Sequence, residues 1–232
     1  MSKNKFPIFK ILILVTILAV PGFLYYMLQA KGKNRYKPLP IFGPKIVAST
    51  FHTKKGVKIP DTIYHKIPDV NFITSNADSL NLGSVKKQLI LINFFYSKDQ
   101  LLTPTINQAV KSIFEEFKEN KIIRFISISI DPAQDSVSVL RNYAKMIGAK
   151  PGKWDFVTMD SSKILNLAKN QFFVNAIKSS EDKGEYIFSD KLILLDADHR
   201  IRGYYASSSV DEISKLSDEI KVLITEELRK IK

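Results

Sequence analysis

No cysteine occurs anywhere in the 232 residues. That absence removes disulfides, thiolate metal ligands and every thiol-based redox mechanism, because the thiolate is the reactive or ligating species in all of them. It leaves the compartment open, since a chain without thiols suits reducing and oxidising surroundings alike. Histidine is scarce too, with three in the chain, and His52, His65 and His199 stand at no recognisable ligand spacing. A Gly-rich phosphate loop, a Ser/His/Asp signature and an HExxH helix are all missing. So are internal repeats and low-complexity tracts. No motif points to an enzyme.

The formal charge is +12. Its lysines are spread along the whole chain instead of gathering into Arg-rich, aromatic-interleaved clusters, so nucleic acid is not an expected partner. Attraction to anionic lipid headgroups fits the charge better. A hydrophobic content of 45% in this length sustains one ordinary domain with a proper core, plus an appendage.

The appendage is N-terminal. Residues 11–28 carry no charge and are flanked by Lys3, Lys5 and Lys10 on one side and Lys31, Lys33, Arg35 and Lys37 on the other. Such a run is long enough to span a bilayer. Its length and the lack of a clean small-x-small site favour a retained anchor over a cleavable signal peptide. The near-balanced flanks leave the orientation open. The expected organisation is a basic segment (1–10), a membrane-spanning anchor in contact with lipid (11–28), a Pro/Gly/Lys tether (29–44) and a domain (45–232). Within 45–72 a small hairpin is expected from Lys45–Phe51 and Val57–Tyr64, turning at Lys55-Gly56.

The stretch from Asn93 to Pro104 (N-F-F-Y-S-K-D-Q-L-L-T-P) organises the domain. Gln88–Tyr96 is nearly all apolar and rich in branched and aromatic side chains, as a strand covered on both faces should be. Thr103 can cap a helix and Pro104 suits its first position, after which Ile106, Val110, Ile113, Phe114 and Phe117 share a face. A loop between a central strand and a helix N-terminus gathers free N–H groups and the positive end of the helix dipole, and many α/β folds place their chemistry there.

Further on, Lys121–Ile130 reads as a second buried strand. Asp135 can cap a helix that stops at Gly148. Trp154–Thr158 is a shorter strand, and Asp160 or Ser161 can cap the next helix. Leu192–Asp196 and Ile201–Tyr205 form a hairpin turning near Asp198. Ser209 with Glu212 makes a capping box for a last amphipathic helix whose Glu/Lys-rich side is a solvated face. The βαβα order predicts an α/β fold with a mixed, largely parallel central sheet flanked by helices.

That order is the one of a thioredoxin-like fold. Several segments go further and resemble the Sco/SenC family of membrane-anchored copper chaperones for cytochrome oxidase: Tyr36–Pro44, Ser129–Ala144 (S-I-D-P-A-Q-D-S-V-S-V-L-R-N-Y-A), Trp154–Thr158 and Leu194–Tyr205. The resemblance runs from residue 36 to the C-terminus. It implies attachment to the cell's inner membrane by one span, with the domain on the periplasmic or extracytoplasmic side, and a place in oxidase biogenesis or copper handling. The family binds copper through two cysteines in a C-P-x-x-C-P setting and a distal histidine. Matched without gaps, the cysteine positions fall on Asp99 and Thr103, with Pro104 kept, and counting back from Asp196 along the late strand puts the histidine position at Phe188 or a near neighbour.

A carboxylate, a hydroxyl and a phenyl ring offer Cu(I) no soft donor. Thr103 reads as a helix cap, Asp99 as an exposed, dipole-stabilised carboxylate, and Phe188 as a filler of vacated space. A lone carboxylate supports no nameable reaction. His52 and His65 could be brought together by the hairpin, His199 belongs to an exposed turn, and Met146 and Met159 are the other soft donors. The chain is therefore expected to be a non-catalytic, non-metal-binding member of the family. It would carry no cofactor and act by contact with respiratory oxidase subunits or other copper-pathway proteins. The alternative is a copper metallochaperone with a non-standard or partner-shared metal site.

Overall fold

The computed structural model describes residues 8–31, 38–54, 56–179 and 186–230. The chain falls into two units, Met1–Lys37 and Pro38–Lys232. The first contains helix α1 (Ile8–Lys31), whose stretch Phe9–Met27 has a mean hydropathy of 2.0 and is long and apolar enough to cross a membrane. Helix α1 as a whole outruns the expected span of 11–28 at both ends. Residues 1–7, most of the predicted basic segment, and 32–37 of the predicted tether lie outside the described residues.

The second unit begins with the expected hairpin, β1 (Lys45–Lys54) and β2 (Val57–Tyr64), an antiparallel ribbon with an irregularity between Val47 and Phe51. Lys55 of its turn lies outside the described residues. There follow β3 (Asn71–Thr74), β4 (Ser79–Asn81), β5 (Leu89–Phe95), α2 (Leu102–Phe117), β6 (Ile123–Ser129), α3 (Val137–Ile147), β7 (Trp154–Thr158) and α4 (Ser161–Asn170). The chain closes with β8 (Ala176–Lys178), β9 (Tyr186–Phe188), β10 (Lys191–Leu195), β11 (Ile201–Ala206) and α5 (Val210–Lys230). Seven strands form one mixed sheet in the order β11-β10-β5-β6-β7-β3-β4, with β5, β6 and β7 parallel and the rest antiparallel. This is the thioredoxin-like α/β arrangement that the element order predicts.

Alternation along the central strands explains why the sheet is covered on both sides. Leu89, Leu91 and Phe95 point into one core with Ile106, Val110 and Phe114 of α2, Leu140 of α3, and Leu216, Ile220 and Leu223 of α5. Ile90, Ile92 and Phe94 point into the other, with Ile164, Leu167 and Ala168 of α4, Phe72 of β3, Leu80 of β4, and Leu82 and Val85 of the short turn that follows β4. A strand buried on both faces needs an apolar side chain at nearly every position. Asn93 is the polar exception in β5. Its Oδ1 accepts the Ser127 hydroxyl at 2.7 Å, and Ser127 Oγ accepts the Trp154 indole N–H at 3.0 Å, so three parallel strands share one buried polar row.

The helix stops and starts are partly those expected. Gly148 ends α3 at φ 83°, a left-handed position that costs glycine little. Asp160 caps α4 by accepting the Ser162 N–H at 3.0 Å, and Ser209 Oγ accepts the Glu212 N–H at 3.3 Å at the head of α5. Asp135 does not cap α3. Ser136 does, and Asp135 is fully buried with another task. The charged side of α5 is not simply solvated either. Glu227 is buried, and Glu226 accepts from Arg202 at 2.8 Å and from the Leu39 N–H at 2.9 Å, which ties the segment entering the domain to the last helix.

Candidate functional site

Residues 96–101 join β5 to α2 at the C-terminal ends of the parallel strands, the side where open α/β sheets gather their ligand-binding loops. Asp99 is half-buried there. Its Oδ1 accepts the Leu101 N–H at 3.2 Å, and its Oδ2 accepts the N–H groups of Leu102 at 2.9 Å and Thr103 at 2.5 Å. A helix leaves its first N–H groups without intrahelical acceptors, and a carboxylate there also meets the positive end of the dipole. Asp99 thus supplies the capping carboxylate of α2 from two residues before the N-cap position, Leu101, in place of Thr103. The helix opens one residue before Thr103, so Thr103 lies inside the first turn and Pro104 occupies the third helical position.

Thr103 is fully buried, and its hydroxyl donates to the Tyr96 carbonyl at 3.2 Å, which also accepts the Asp99 N–H at 3.2 Å. Phe188, half-buried at the end of β9, packs its ring 5.6 Å from the Tyr96 ring at an interplanar angle of 64°. All three predicted positions therefore converge on Tyr96: Asp99 and Thr103 on its carbonyl, Phe188 on its ring.

Beneath the loop lies a residue whose role sequence reasoning missed. Asp135 is fully buried and accepts the Ser97 N–H at 3.1 Å, the Ser97 hydroxyl and the Ser129 hydroxyl at 2.5 Å. One carboxylate so pins the loop after β5 to the end of β6. Asp131, also buried, accepts the Tyr186 hydroxyl at 3.4 Å; burial and then this carboxylate push the Tyr186 phenol above its ordinary range. The signal was the D-P-A-Q-D spacing just after a buried strand, where two acidic residues so close to the key loop invite a shared role beyond capping.

The three histidines are engaged separately. His52 Nδ1 lies 2.7 Å from Asp61 Oδ1 on the ribbon, and His65 Nε2 lies 2.9 Å from the Gln171 carbonyl, so the hairpin does not bring the two together at one site. His199, expected on an exposed turn, is buried, with φ 59° and Nε2 2.9 Å from the Val85 carbonyl. Asp196 causes this by accepting the N–H groups of Asp198 and Arg200 at 3.0 and 2.9 Å, which tightens the turn and tucks the imidazole inward. Met159 packs against the core, whereas Met146 is 70% exposed. Among the described residues, no group of three or more His, Cys, Asp or Glu side chains is placed to hold a metal ion. The donors beside the loop are hard oxygens already used by N–H and O–H groups, a poor match to Cu(I).

The profile of the SCO1/SenC family matches residues 65–225. The chain belongs to the SCO1/SenC family. A SCO2-like protein of Rickettsia felis is 26% identical over 216 residues, covering 91% of this chain and 96% of that protein. A SCO1/SenC family lipoprotein of Bacillus anthracis superposes with a TM-score of 0.63 at 18% identity, covering 68% of this chain and 95% of the other. BsSco, described with a disulfide switch as a member of the Sco family of cytochrome c oxidase assembly proteins, gives 0.61 at 21% identity, covering 69% and 94%. At these identities the two superpositions are likenesses of fold. Within the SCO1/SenC frame, the loop after β5 of this member carries a carboxylate cap and a buried hydroxyl.

Proposed function

We propose that this SCO1/SenC protein is a membrane-anchored assembly factor that acts by protein contact, without metal and without catalysis, in cytochrome oxidase biogenesis or copper handling. The observation that carries this reading is the internal satisfaction of the loop: every polar atom that Asp99 and Thr103 contribute to the helix mouth is spent on the fold. Copper is the cargo of the family, and Cu(I) requires thiolate, thioether or imidazole donors. Asp99, Thr103 and Phe188, at the positions that correspond to the family's ligands, offer none. The surface around the helix mouth supports a contact role, because Leu101 is 88% exposed and Met146, 70% exposed, lines a groove together with Pro104 and Asn107 of α2. Large apolar side chains left in water beside a rigid loop mark contact surfaces more often than chemistry. The span in α1 would hold the domain at the membrane, on its extracytoplasmic side.

Two measurements test the reading. Full-length protein in detergent is titrated against a Cu(I) chelator; the expected result is no competition, and stoichiometric tight copper would overturn the metal-free role in favour of a non-standard or partner-shared site. Crosslinking in native membranes with a photoactivatable residue in place of Leu101 is expected to capture an oxidase subunit or a copper protein, and capture of neither would remove the pathway assignment.

A further inference from the structure

The ribbon of β1 and β2 has no buried residue in either strand, yet its base is fixed. Phe42 N–H donates to the Ile201 carbonyl at 2.8 Å, His65 N–H to the Pro44 carbonyl at 3.1 Å and Ile67 N–H to the His199 carbonyl at 3.0 Å. Gly43 adopts φ 97° where an added Cβ would collide with His65, so the entry to the ribbon is tightly built. Beyond that base the strands run bare for a length of roughly 30 Å at 3.3 Å per residue. An isolated two-stranded hairpin is marginal in water. This one also leaves Ile46, Val47, Phe51, Val57, Ile59 and Ile63 between 37% and 73% exposed.

The pairing register sorts its side chains onto two faces, because directly opposed residues share a face. Lys45 with Tyr64, Val47 with Thr62, Phe51 with Pro60 and Thr53 with Lys58 make one face, which is basic and apolar and has no acid. The Lys45 ammonium stands 5.7 Å over the Tyr64 ring, the pose of a lysine that covers apolar surface and keeps its charge outward. Asp61, the ribbon's single acid, is on the opposite face with His52 as its partner. Lysine interleaved with aliphatic and aromatic side chains on one face suits a bilayer interface, where anionic headgroups and the acyl boundary meet the two kinds of group at once. The chain from Lys31 to Lys45 can reach no further than about 50 Å, so the base of the ribbon never leaves the neighbourhood of a membrane that holds α1.

We propose that the acid-free face of the β1–β2 ribbon, carrying Lys45, Val47, Phe51, Lys58 and Tyr64, docks onto an anionic phospholipid surface and so fixes the height and tilt of the domain above the membrane. The proposal rests on the reading of α1 as a retained anchor.

The absence of cysteine makes the test clean, since one introduced thiol takes one label. Full-length Val47→Cys and, for the opposite face, Ile63→Cys are labelled with an environment-sensitive fluorophore and reconstituted into nanodiscs with or without phosphatidylglycerol. In anionic discs, emission from position 47 should shift to the blue and be quenched several-fold more by spin-labelled lipid than emission from position 63. Adding Lys45→Glu and Lys58→Glu should abolish the difference while the circular dichroism stays unchanged. Discs that lose the chain on gel filtration would remove the anchor and the proposal together. Discs that keep the chain but leave position 47 open to aqueous iodide would overturn the proposal alone. Protection of position 47 without quenching by spin-labelled lipid would assign the face to a protein surface and overturn it equally.

Discussion

Asp99 Oδ2 accepts the Thr103 backbone N–H at 2.5 Å, so the two residues at the helix mouth are bound to each other instead of facing a common ligand. A carboxylate that also holds the Leu101 and Leu102 N–H groups is a working helix cap. Removing a cap of this kind costs about 1–2 kcal/mol. Asp99→Ala should therefore lower the midpoint of thermal unfolding by roughly 2–4 °C per kcal/mol lost, while Asp99→Asn, which keeps an acceptor oxygen, loses clearly less. Near-ultraviolet circular dichroism of the full chain in detergent reads both. Equal losses for the two variants would mean that the charge, and not the acceptor geometry, supplies the stabilisation.

If the loop has kept its shape, the ligands can be put back. The combined variant Asp99→Cys, Thr103→Cys and Phe188→His places two thiols one helical turn apart around the Tyr96 carbonyl and an imidazole against the Tyr96 ring. Thiolate and imidazole are the donors Cu(I) favours. The triple variant should take one equivalent of Cu(I) from a chelator that the unaltered chain leaves untouched. Failure of a folded triple variant to compete would show that the three positions do not correspond to the family's ligand positions.

The strand-loop-helix unit was legible in the sequence because its signals are local: a run of apolar residues too continuous for a one-sided strand, then a break, then a 3.6-residue period. Gly148 and Asp160 were legible for the same reason. What was not legible depends on partners far along the chain. The D-P-A-Q-D spacing hints that Asp135 does more than cap a helix, but nothing near it names Ser97 as the group it will hold, and nothing near His199 announces the Val85 carbonyl. Strands β3 and β4 escaped because four and three residues are too short to show alternation, and their place at the sheet edge is decided by pairing with β7. Thr103-Pro104 looked like a helix start, and the displacement of one residue came from a carboxylate four positions upstream.

Alkaline stability should carry two opposed contributions. Burial lowers the Lys153 ammonium to about 8, so between pH 8 and the ordinary lysine value near 10.5 the unfolded chain binds more protons than the folded one, and stability rises with pH. Burial raises the Tyr204 phenol to about 12, and burial together with the Glu219 carboxylate that accepts its hydroxyl raises that of Tyr205 as well. Above about pH 10 the unfolded tyrosines give up protons that these two retain, so their contribution is full below pH 10 and is lost as pH rises further. In urea titrations across this range, Lys153→Met should flatten the rise and Tyr205→Phe should lessen the fall by about one proton's worth of slope. Parallel curves for Tyr205→Phe and the unaltered chain would refute the assignment.

The Asp135 carboxylate is the acceptor on which the whole loop depends, and its removal should cost more than removal of the cap. It is fully buried and takes three donors, the Ser97 N–H and hydroxyl and the Ser129 hydroxyl. A hydrogen bond to a charged acceptor contributes about 1.5–3 kcal/mol, and a buried donor left without one costs about 1–3 kcal/mol. The losses overlap, so Asp135→Ala should destabilise the chain by roughly 3–5 kcal/mol, and Asp135→Asn by less because one amide oxygen can still accept. Ser129→Ala alone should cost about 1–3 kcal/mol, since it leaves the carboxylate with two donors and takes from the buried Asp131 N–H the hydroxyl that accepts it at 3.2 Å. The decisive quantity is the coupling between Asp135→Asn and Ser129→Ala in a double-mutant cycle, expected above about 0.5 kcal/mol for groups in one network. Simple additivity would mean that the loop is held by its backbone alone, and the retained shape of the helix mouth would then need a cause other than Asp135.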